Sequence, residues 1–121
     1  MSAIENEVYW VVKNKLLGVR KPASEEEVLN LKRLGVAGII TLLDDKENHK
    51  LYRKQGIDFL WTPIKGGSVP SLDQVKEGLE FAKKVWGDSK VLAIHCSGGK
   101  KRTATMIASI LCFGPQFSRH F

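Results

Sequence analysis

The stretch VLAIHCSGGKKRTATMIASILC, residues 91–112, combines an apolar run, a short polar loop and a second apolar segment. Residues 91–95 are typical of a buried strand, and the segment from about Arg102 to Cys112 is typical of a helix. Gly98 and Gly99 lie in the loop, where they relieve the steric cost of a tight turn. The stretch therefore predicts a strand, a tight loop and a helix in that order, which is characteristic of an α/β sheet protein.

The same alternation of short apolar runs and amphipathic segments extends through the rest of the chain. Further strands are predicted at residues 8–12, 16–19, 36–43 and 57–64. Helices are predicted after Ser24 and after Ser71, which form capping-box patterns with Glu27 and Gln74, and residues 46–55 are compatible with a third. With 121 residues the chain is long enough for one core. We predict one α/β domain over residues 1–121, with a central, mostly parallel sheet flanked by helices.

Composition narrows the class of protein but selects no partner. The apolar runs are well short of the roughly 20 residues of a membrane-spanning helix, and residues 1–7 lack the basic start and apolar stretch of a secretory signal. We therefore expect no membrane span and a cytoplasmic location. The net charge of +6 favours anionic partners in general. Nucleic acid is unsupported, because the basic residues are not interleaved with aromatic ones.

The loop after residue 95 carries the side chains for phosphoryl-transfer chemistry. Inward-pointing backbone N–H groups at a helix N-terminus bind a tetrahedral oxyanion, and the same positive environment favours the nucleophilic thiolate of Cys96. The planar guanidinium of Arg102 binds two phosphate oxygens at once, and Thr103 is placed to hydrogen-bond the sulfur. We predict Cys96, Arg102 and Thr103 as catalytic, with the phosphate bound by residues Ser97, Gly98, Gly99, Lys100, Lys101 and Arg102.

The loop has a recognisable pattern, in which His95-Cys96 is followed by five residues and then by Arg102-Thr103. This pattern resembles the signature of the cysteine-dependent protein tyrosine phosphatases. Further segments resemble the small, atypical dual-specificity phosphatases and their archaeal relatives, and they lie at residues 9–11, 16–18, 34–43 and 69–71. The resemblance implies a phosphatase-like fold and hydrolysis of phosphotyrosine, phosphoserine or phosphothreonine in proteins, or of another anionic phosphoester. It also implies a phosphocysteine intermediate and no metal or organic cofactor.

The general acid of that family is missing from its expected position. The resemblance places an aspartate where this chain has Gly66, and a general acid typically contributes about 10²–10⁴ in rate. Asp73 and Asp44 are the alternatives, although their ordinary roles are a helix first turn and a strand end. The absence of an aspartate at position 66 favours a second hypothesis, in which the chain is a weak or inactive module that binds phosphate or phosphotyrosine.

Two further departures concern the loop and the C-terminus. Lys101 stands where the family usually has glycine, and a lysine at Lys100 is similar to the related phosphoinositide phosphatases; the simpler interpretation is a solvated basic rim. The family's domain continues with further helices, so the resemblance implies a C-terminally short chain. We expect either the last phenylalanines or a second copy of the chain, in a homodimer, to cover that face.

Other candidate residues have structural interpretations. Cys112 is expected to be a small buried apolar residue. His49 and His120 have no metal-ligating neighbours at suitable spacing, so no metal site is predicted. A nucleotide-binding loop is excluded because the glycine spacing does not fit. Sulfur transfer of the rhodanese kind is a distant third hypothesis for Cys96.

Overall fold

The computed structural model describes residues 3–97 and 101–113. A short 3-10 helix at Ile4–Asn6 precedes the first strand. Five strands and four helices follow in chain order: β1 Tyr9–Val12, β2 Leu16–Val19, α1 Glu25–Arg33, β3 Val36–Thr41, α2 His49–Lys54, β4 Asp58–Trp61, α3 Leu72–Gly87, β5 Val91–His95 and α4 Lys101–Phe113.

The strands form one sheet in the order β1-β2-β5-β3-β4. Only β1 and β2 run antiparallel, and β5 is parallel to both of its neighbours, β2 and β3. The prediction of a mostly parallel sheet flanked by helices is confirmed. Because β5 is the central strand, the loop that follows it opens at the middle of the sheet's carboxyl edge. In open α/β sheets, ligands bind at this edge.

Alternation along the strands supplies apolar side chains to both faces of the sheet. On β5, Leu92 and Ile94 pack in the cluster that contains residues of α3 and α4. Val91 and Ala93 pack on the opposite face, in the cluster that contains residues of α1 and Tyr52 of α2. A strand covered on both faces needs apolar residues at every position, which explains the continuous apolar run at residues 91–94.

The helix starts were predicted well, and the strand ends less so. At α3, Ser71 and Gln74 form the complete reciprocal capping box. At α1, Ser24 accepts a hydrogen bond from Glu27 N, but the Glu27 carboxylate accepts from Ala23 N rather than from Ser24. Strands β3 and β4 end two to three residues earlier than predicted, at Thr41 and Trp61. The backbone stays hydrogen-bonded beyond them, for example from Ile64 N to Leu42 O at 3.0 Å.

The expectation that Cys112 is buried was wrong. Cys112 lies near the end of α4 on its exposed side, next to the exposed Leu111 and Phe113. The helical pattern placed Cys112 on the face of α4 that packs against the sheet. In the structure, Met106, Ile107 and Ile110 form that face and Cys112 lies outside it. Residues 114–121 lie outside the described part of the chain. A homodimer through this face and a single domain over residues 1–121 therefore stay predictions.

Close packing between β3 and α3 makes Gly38 a sensitive position. A Cβ atom there would lie 2.3 Å from Val85 Cγ2 and 3.0 Å from Phe81 Cε2. We expect Gly38→Ala to lower the free energy of unfolding by about 1–3 kcal/mol, because overpacking forces side chains off their rotamers. Gly87→Ala is the matched control: its Cβ would meet nothing within 4 Å, so its stability should equal or exceed that of the wild type. Urea unfolding measures both, and equal stabilities for the two variants would contradict the packing.

Candidate active site

Hydrogen bonds between neighbouring segments fix the start of the loop after β5. Leu42 N donates to His95 O at 3.1 Å, which extends the β3–β5 pairing to the last residue of β5. On the other side, Lys21 N donates to Ser97 O at 3.0 Å. The backbone on either side of Cys96 is therefore held between the ends of β2 and β3.

The thiol of Cys96 and the hydroxyl of Thr103 are in direct contact. Thr103 Oγ1 donates to Cys96 Sγ at 3.1 Å, and both residues are only 1% exposed. Thr103 lies in the first turn of α4, so the N-terminal end of that helix is near the sulfur. A hydroxyl donor and a helix N-terminus both stabilise negative charge on sulfur.

The guanidinium of Arg102 joins the two loops that border the site. Its Nη1 donates to Ile64 O at 3.0 Å and its Nη2 donates to Ser97 Oγ at 3.3 Å. Ile64 begins the loop that contains Gly66, so Arg102 connects the loop after β4 with the loop after β5. The half-buried side chain is thus held with its planar end over Ser97, the neighbour of Cys96.

Three of the predicted phosphate-binding residues, Gly98, Gly99 and Lys100, lie outside the described residues. Lys101 is the first residue of α4 and is exposed. The structure therefore brings together Cys96, Ser97, Arg102 and Thr103. The predicted contacts of backbone N–H groups with phosphate stay predictions.

A buried polar chain behind the loop fixes the tautomer of His95. His95 Nδ1 lies 3.0 Å from the carbonyl oxygen of Cys96, which can only accept, so Nδ1 carries the proton. Nε2 is then the acceptor, and Tyr52 Oη, at 2.9 Å, is its donor. Asn48 Nδ2 completes the chain by donating to Tyr52 Oη at 3.3 Å and to Pro22 O at 2.8 Å. Burial favours the neutral form of His95, in which the Nδ1–H group orients the carbonyl group of Cys96.

Burial of His95 makes the stability of the fold depend on pH. Desolvation lowers the pKa of His95 from 6.5 to about 4. Desolvation also lowers the pKa of His49. The unfolded chain then binds more protons between about pH 6.5 and pH 4, so stability falls as the pH falls through that window. For His95 alone, the free energy of unfolding falls by about 2 kcal/mol from pH 7 to pH 5, at 1.4 kcal/mol per pKa unit.

Urea unfolding at pH 7 and pH 5, for the wild type and for His95→Asn, measures this dependence. We expect the variant to lose less stability than the wild type over this range. The pKa of Glu27 is lowered to about 2, mainly by its hydrogen bond to Arg20. The stability that Glu27 contributes is therefore lost only at lower pH, between about 4.5 and 2. An equal pH dependence in both proteins would show that His95 is not buried as a neutral group.

The two candidate acids and the glycine at the expected acid position are all exposed. Gly66 is exposed, its φ lies outside the left-handed region, and a Cβ atom there would meet nothing within 4 Å. Asp73 is exposed in the first turn of α3, and Asp44 is exposed three residues beyond the end of β3. Both positions agree with the ordinary structural roles of these aspartates. A role as general acid for either one stays a prediction.

Sequence reasoning missed several residues that shape the site. Tyr52 and Asn48 are 43 and 47 residues away from His95 in the chain, and no motif connects them. Tyr9 covers Gly18 so closely that a Cβ atom there would lie 2.2 Å from the ring. Burial, and secondarily the nearby charge of Cys96, raise the pKa of Tyr9. The sequence marked residues 46–55 only as a polar, helix-compatible stretch, and that pattern gives no signal for these hydrogen bonds.

Comparison with known proteins decides the family. Residues 5–119 match the family described as "Swiss Army Knife protein, DSP-PTPase phosphatase domain". The chain belongs to this family. As a DSP-PTPase domain it is a member of the cysteine phosphatase superfamily that the motif after β5 indicated.

Named relatives of this DSP-PTPase domain include phosphatases of phospholipids. The human phosphatidylglycerophosphatase and protein-tyrosine phosphatase 1 is 29% identical over 83 residues, which are 63% of this chain and 41% of the relative. The phosphatidylglycerophosphate phosphatase PTPMT1 of Arabidopsis thaliana is 30% identical over 115 residues, 89% of this chain and 34% of the relative. The domain thus spans less than half the length of these relatives.

A solved structure shows the same fold. The crystal structure of Tk-PTP in its active form superimposes with a TM-score of 0.76 at 24% sequence identity, covering 95% of this chain and 76% of that one. This similarity supports the arrangement of the sheet and its helices and does not bear on the substrate.

Within residues 3–97 and 101–113, no helix has both the length and the apolar character needed to cross a bilayer. The same residues contain no group of three or more histidine, cysteine or acidic side chains arranged to hold a metal ion.

Proposed function

We propose that this DSP-PTPase domain hydrolyses phosphomonoesters in two steps through a phosphocysteine on Cys96. The observation that carries the proposal is the contact of Cys96 Sγ with Thr103 Oγ1 at 3.1 Å, beside an arginine held over Ser97. A nucleophile, a donor to that nucleophile and a planar cation for phosphate are the groups that phosphoryl transfer requires.

In the first step, Cys96 Sγ forms a bond to phosphorus while the bond from phosphorus to the ester oxygen breaks. The electron pair of that bond leaves with the alcohol or phenol. Arg102 exchanges its hydrogen bonds to Ile64 O and Ser97 Oγ for two equatorial phosphate oxygens, which its fork geometry permits. In the second step water attacks phosphorus and the S–P bond breaks. Thr103 then donates to the departing thiolate.

We propose aryl phosphates, such as phosphotyrosine in proteins, as the preferred substrates. With glycine at position 66, the domain lacks the family's aspartate there, so the leaving oxygen departs largely without a proton. Phenols tolerate this far better than alcohols, since they are stronger acids. Phosphoserine, phosphothreonine and the phospholipid esters in the names of the relatives are alkyl phosphates, and their hydrolysis should be much slower. We place this activity in the cytoplasm.

The experiment compares an activated aryl phosphate, a phosphotyrosine peptide and phosphatidylglycerophosphate as substrates of the purified chain. We expect the rates to fall in that order and to depend on Cys96. A second hypothesis, favoured by Gly66, is a binding module. It would be supported by phosphate binding without any Cys96-dependent turnover, and that outcome would overturn the catalytic proposal.

Restoring a carboxyl group at position 66 tests the missing acid. The position is exposed and sterically open, so we expect Gly66→Asp to fold normally and to speed alkyl phosphate hydrolysis by about tenfold or more. Gly66→Asn is the matched control, because it has the same shape but no proton to give. Steady-state kcat for an alkyl and an aryl phosphate, measured against pH, separates the effects. If aspartate and asparagine give equal rates, proton donation from this position is excluded.

Asp73→Asn and Asp44→Asn test the two native alternatives. If either aspartate supplies the proton, its variant should lose rate on alkyl phosphates and keep most of its rate on activated aryl phosphates. We expect neither variant to show this selective loss.

A further inference from the structure

A cleft lies at the opposite end of the sheet from Cys96, where the turn between β1 and β2 meets the connection from α3 to β5. Its volume is about 500 Å³, and its walls include Lys13, Asn14, Lys15, Trp86, Ser89 and Lys90. The strand β5 separates it from the catalytic loop. Six residue steps from position 90 to position 96 at about 3.3 Å each correspond to about 20 Å.

Hydrogen bonds to backbone carbonyl groups hold the walls of the cleft in place. Lys15 O accepts from Trp86 Nε1 and from Leu92 N, both at 2.8 Å. Ser89 N donates to Trp86 O at 2.9 Å, and Lys90 N donates to Val85 O at 3.2 Å. The turn, the end of α3 and the start of β5 are therefore tied together, so the cleft is part of the folded framework.

The charge of the cleft is strongly positive. Lys13, Lys15 and Lys90 form no ion pair with any carboxylate in the described part of the chain. Lys13 Nζ lies 5.0 Å from the centre of the Trp10 ring, a contact that leaves its charge intact. Asp88 is adjacent in sequence, and the C-terminal end of α3 contributes roughly half a negative charge. These two sources do not outweigh three ammonium groups.

We propose that this cleft binds a small soluble anion that carries two or more phosphate groups. Three ammonium groups around one depression match a multiply charged ligand better than a single phosphate, and Asn14 and Ser89 supply neutral donors. A concave site favours a small ligand over a flat membrane surface. The distance of about 20 Å from Cys96 makes it a site separate from the catalytic loop, so the proposal does not depend on catalysis.

The test uses tripolyphosphate as the probe and the indole N–H signals of the three tryptophans as reporters. We expect the signal of Trp86, assigned with Trp86→Phe, to shift on titration in the full chain, while that of Trp61 does not. The shift should persist in Arg102→Met, because that substitution acts on the loops after β4 and β5, about 20 Å from the cleft. Raising the salt concentration should weaken binding, since the lysines are exposed.

A triple variant, Lys13→Gln with Lys15→Gln and Lys90→Gln, should raise the dissociation constant by about tenfold or more, equivalent to 1.4 kcal/mol. The matched control is Lys32→Gln with Lys50→Gln and Lys76→Gln, which removes the same net charge from exposed positions outside the cleft. Thermal unfolding verifies that both variants fold. Equal affinities of the two variants would overturn the proposal, as would a Trp86 signal that does not move at millimolar tripolyphosphate. Lysine-dependent binding to phosphatidylglycerol vesicles but not to tripolyphosphate would also overturn it.

Discussion

Replacing Cys96 by serine should lower kcat for an activated aryl phosphate by roughly 10⁴-fold or more, as expected when a nucleophile is removed. The hydroxyl of Thr103 donates to the side chain at this position, so it does not act as a general base for a serine there. A thiol ionises far more readily than an alcohol, so only cysteine provides a usable anion near neutral pH. The variant should still bind phosphate or vanadate, because serine retains the shape of the site.

Cys112→Ser is the matched control for this experiment. It makes the same atomic change at a cysteine that is exposed near the end of α4, and we expect an unchanged kcat. Alkylation gives an independent measurement: iodoacetate should modify Cys112 readily, and it should inactivate the chain only when it reaches the buried Cys96. If Cys96→Ser keeps wild-type turnover, or if only Cys112→Ser loses it, the phosphocysteine mechanism is wrong.

Replacing Arg102 by lysine should lower kcat/KM by about 10³-fold, the scale seen when a transition-state cation is removed. The guanidinium reaches Ile64 O with one nitrogen and Ser97 Oγ with the other. A lysine carries the same charge but ends in a single ammonium group, so it cannot bind two phosphate oxygens in one plane. It also cannot hold both loops at once. We therefore expect a loss in both kcat and phosphate affinity.

Arg33→Lys is the control, because Arg33 is an exposed arginine of α1 that donates to Asn30 Oδ1 on its own helix. Steady-state kinetics and phosphate competition measure both variants. A lysine variant at position 102 with nearly wild-type kcat/KM would mean that charge alone suffices. The bidentate role assigned to Arg102 would then be wrong.

Much of the fold followed from local sequence because local physics decides it. The continuous apolar run at residues 91–94 marked the central strand, and Ser71 with Gln74 marked the start of α3, since a capping box involves only neighbouring backbone groups. Gly35, with φ of +98°, ended α1 as expected. The prediction that Cys112 is buried was wrong, because the buried face of a helix is set by what packs against it and not by the helix residues alone.

The sequence alone predicted which residues form the candidate site. Cys96, Arg102 and Thr103 lie within eight consecutive residues, so a strand, a tight loop and a helix are enough to bring them together. Only the tertiary structure decided what supports them. Arg102 binds Ile64 across 38 residues, and His95 binds Tyr52 across 43. The physical reason is that buried polar groups must find partners wherever the packed sheet places them, and sequence spacing carries no record of those partners.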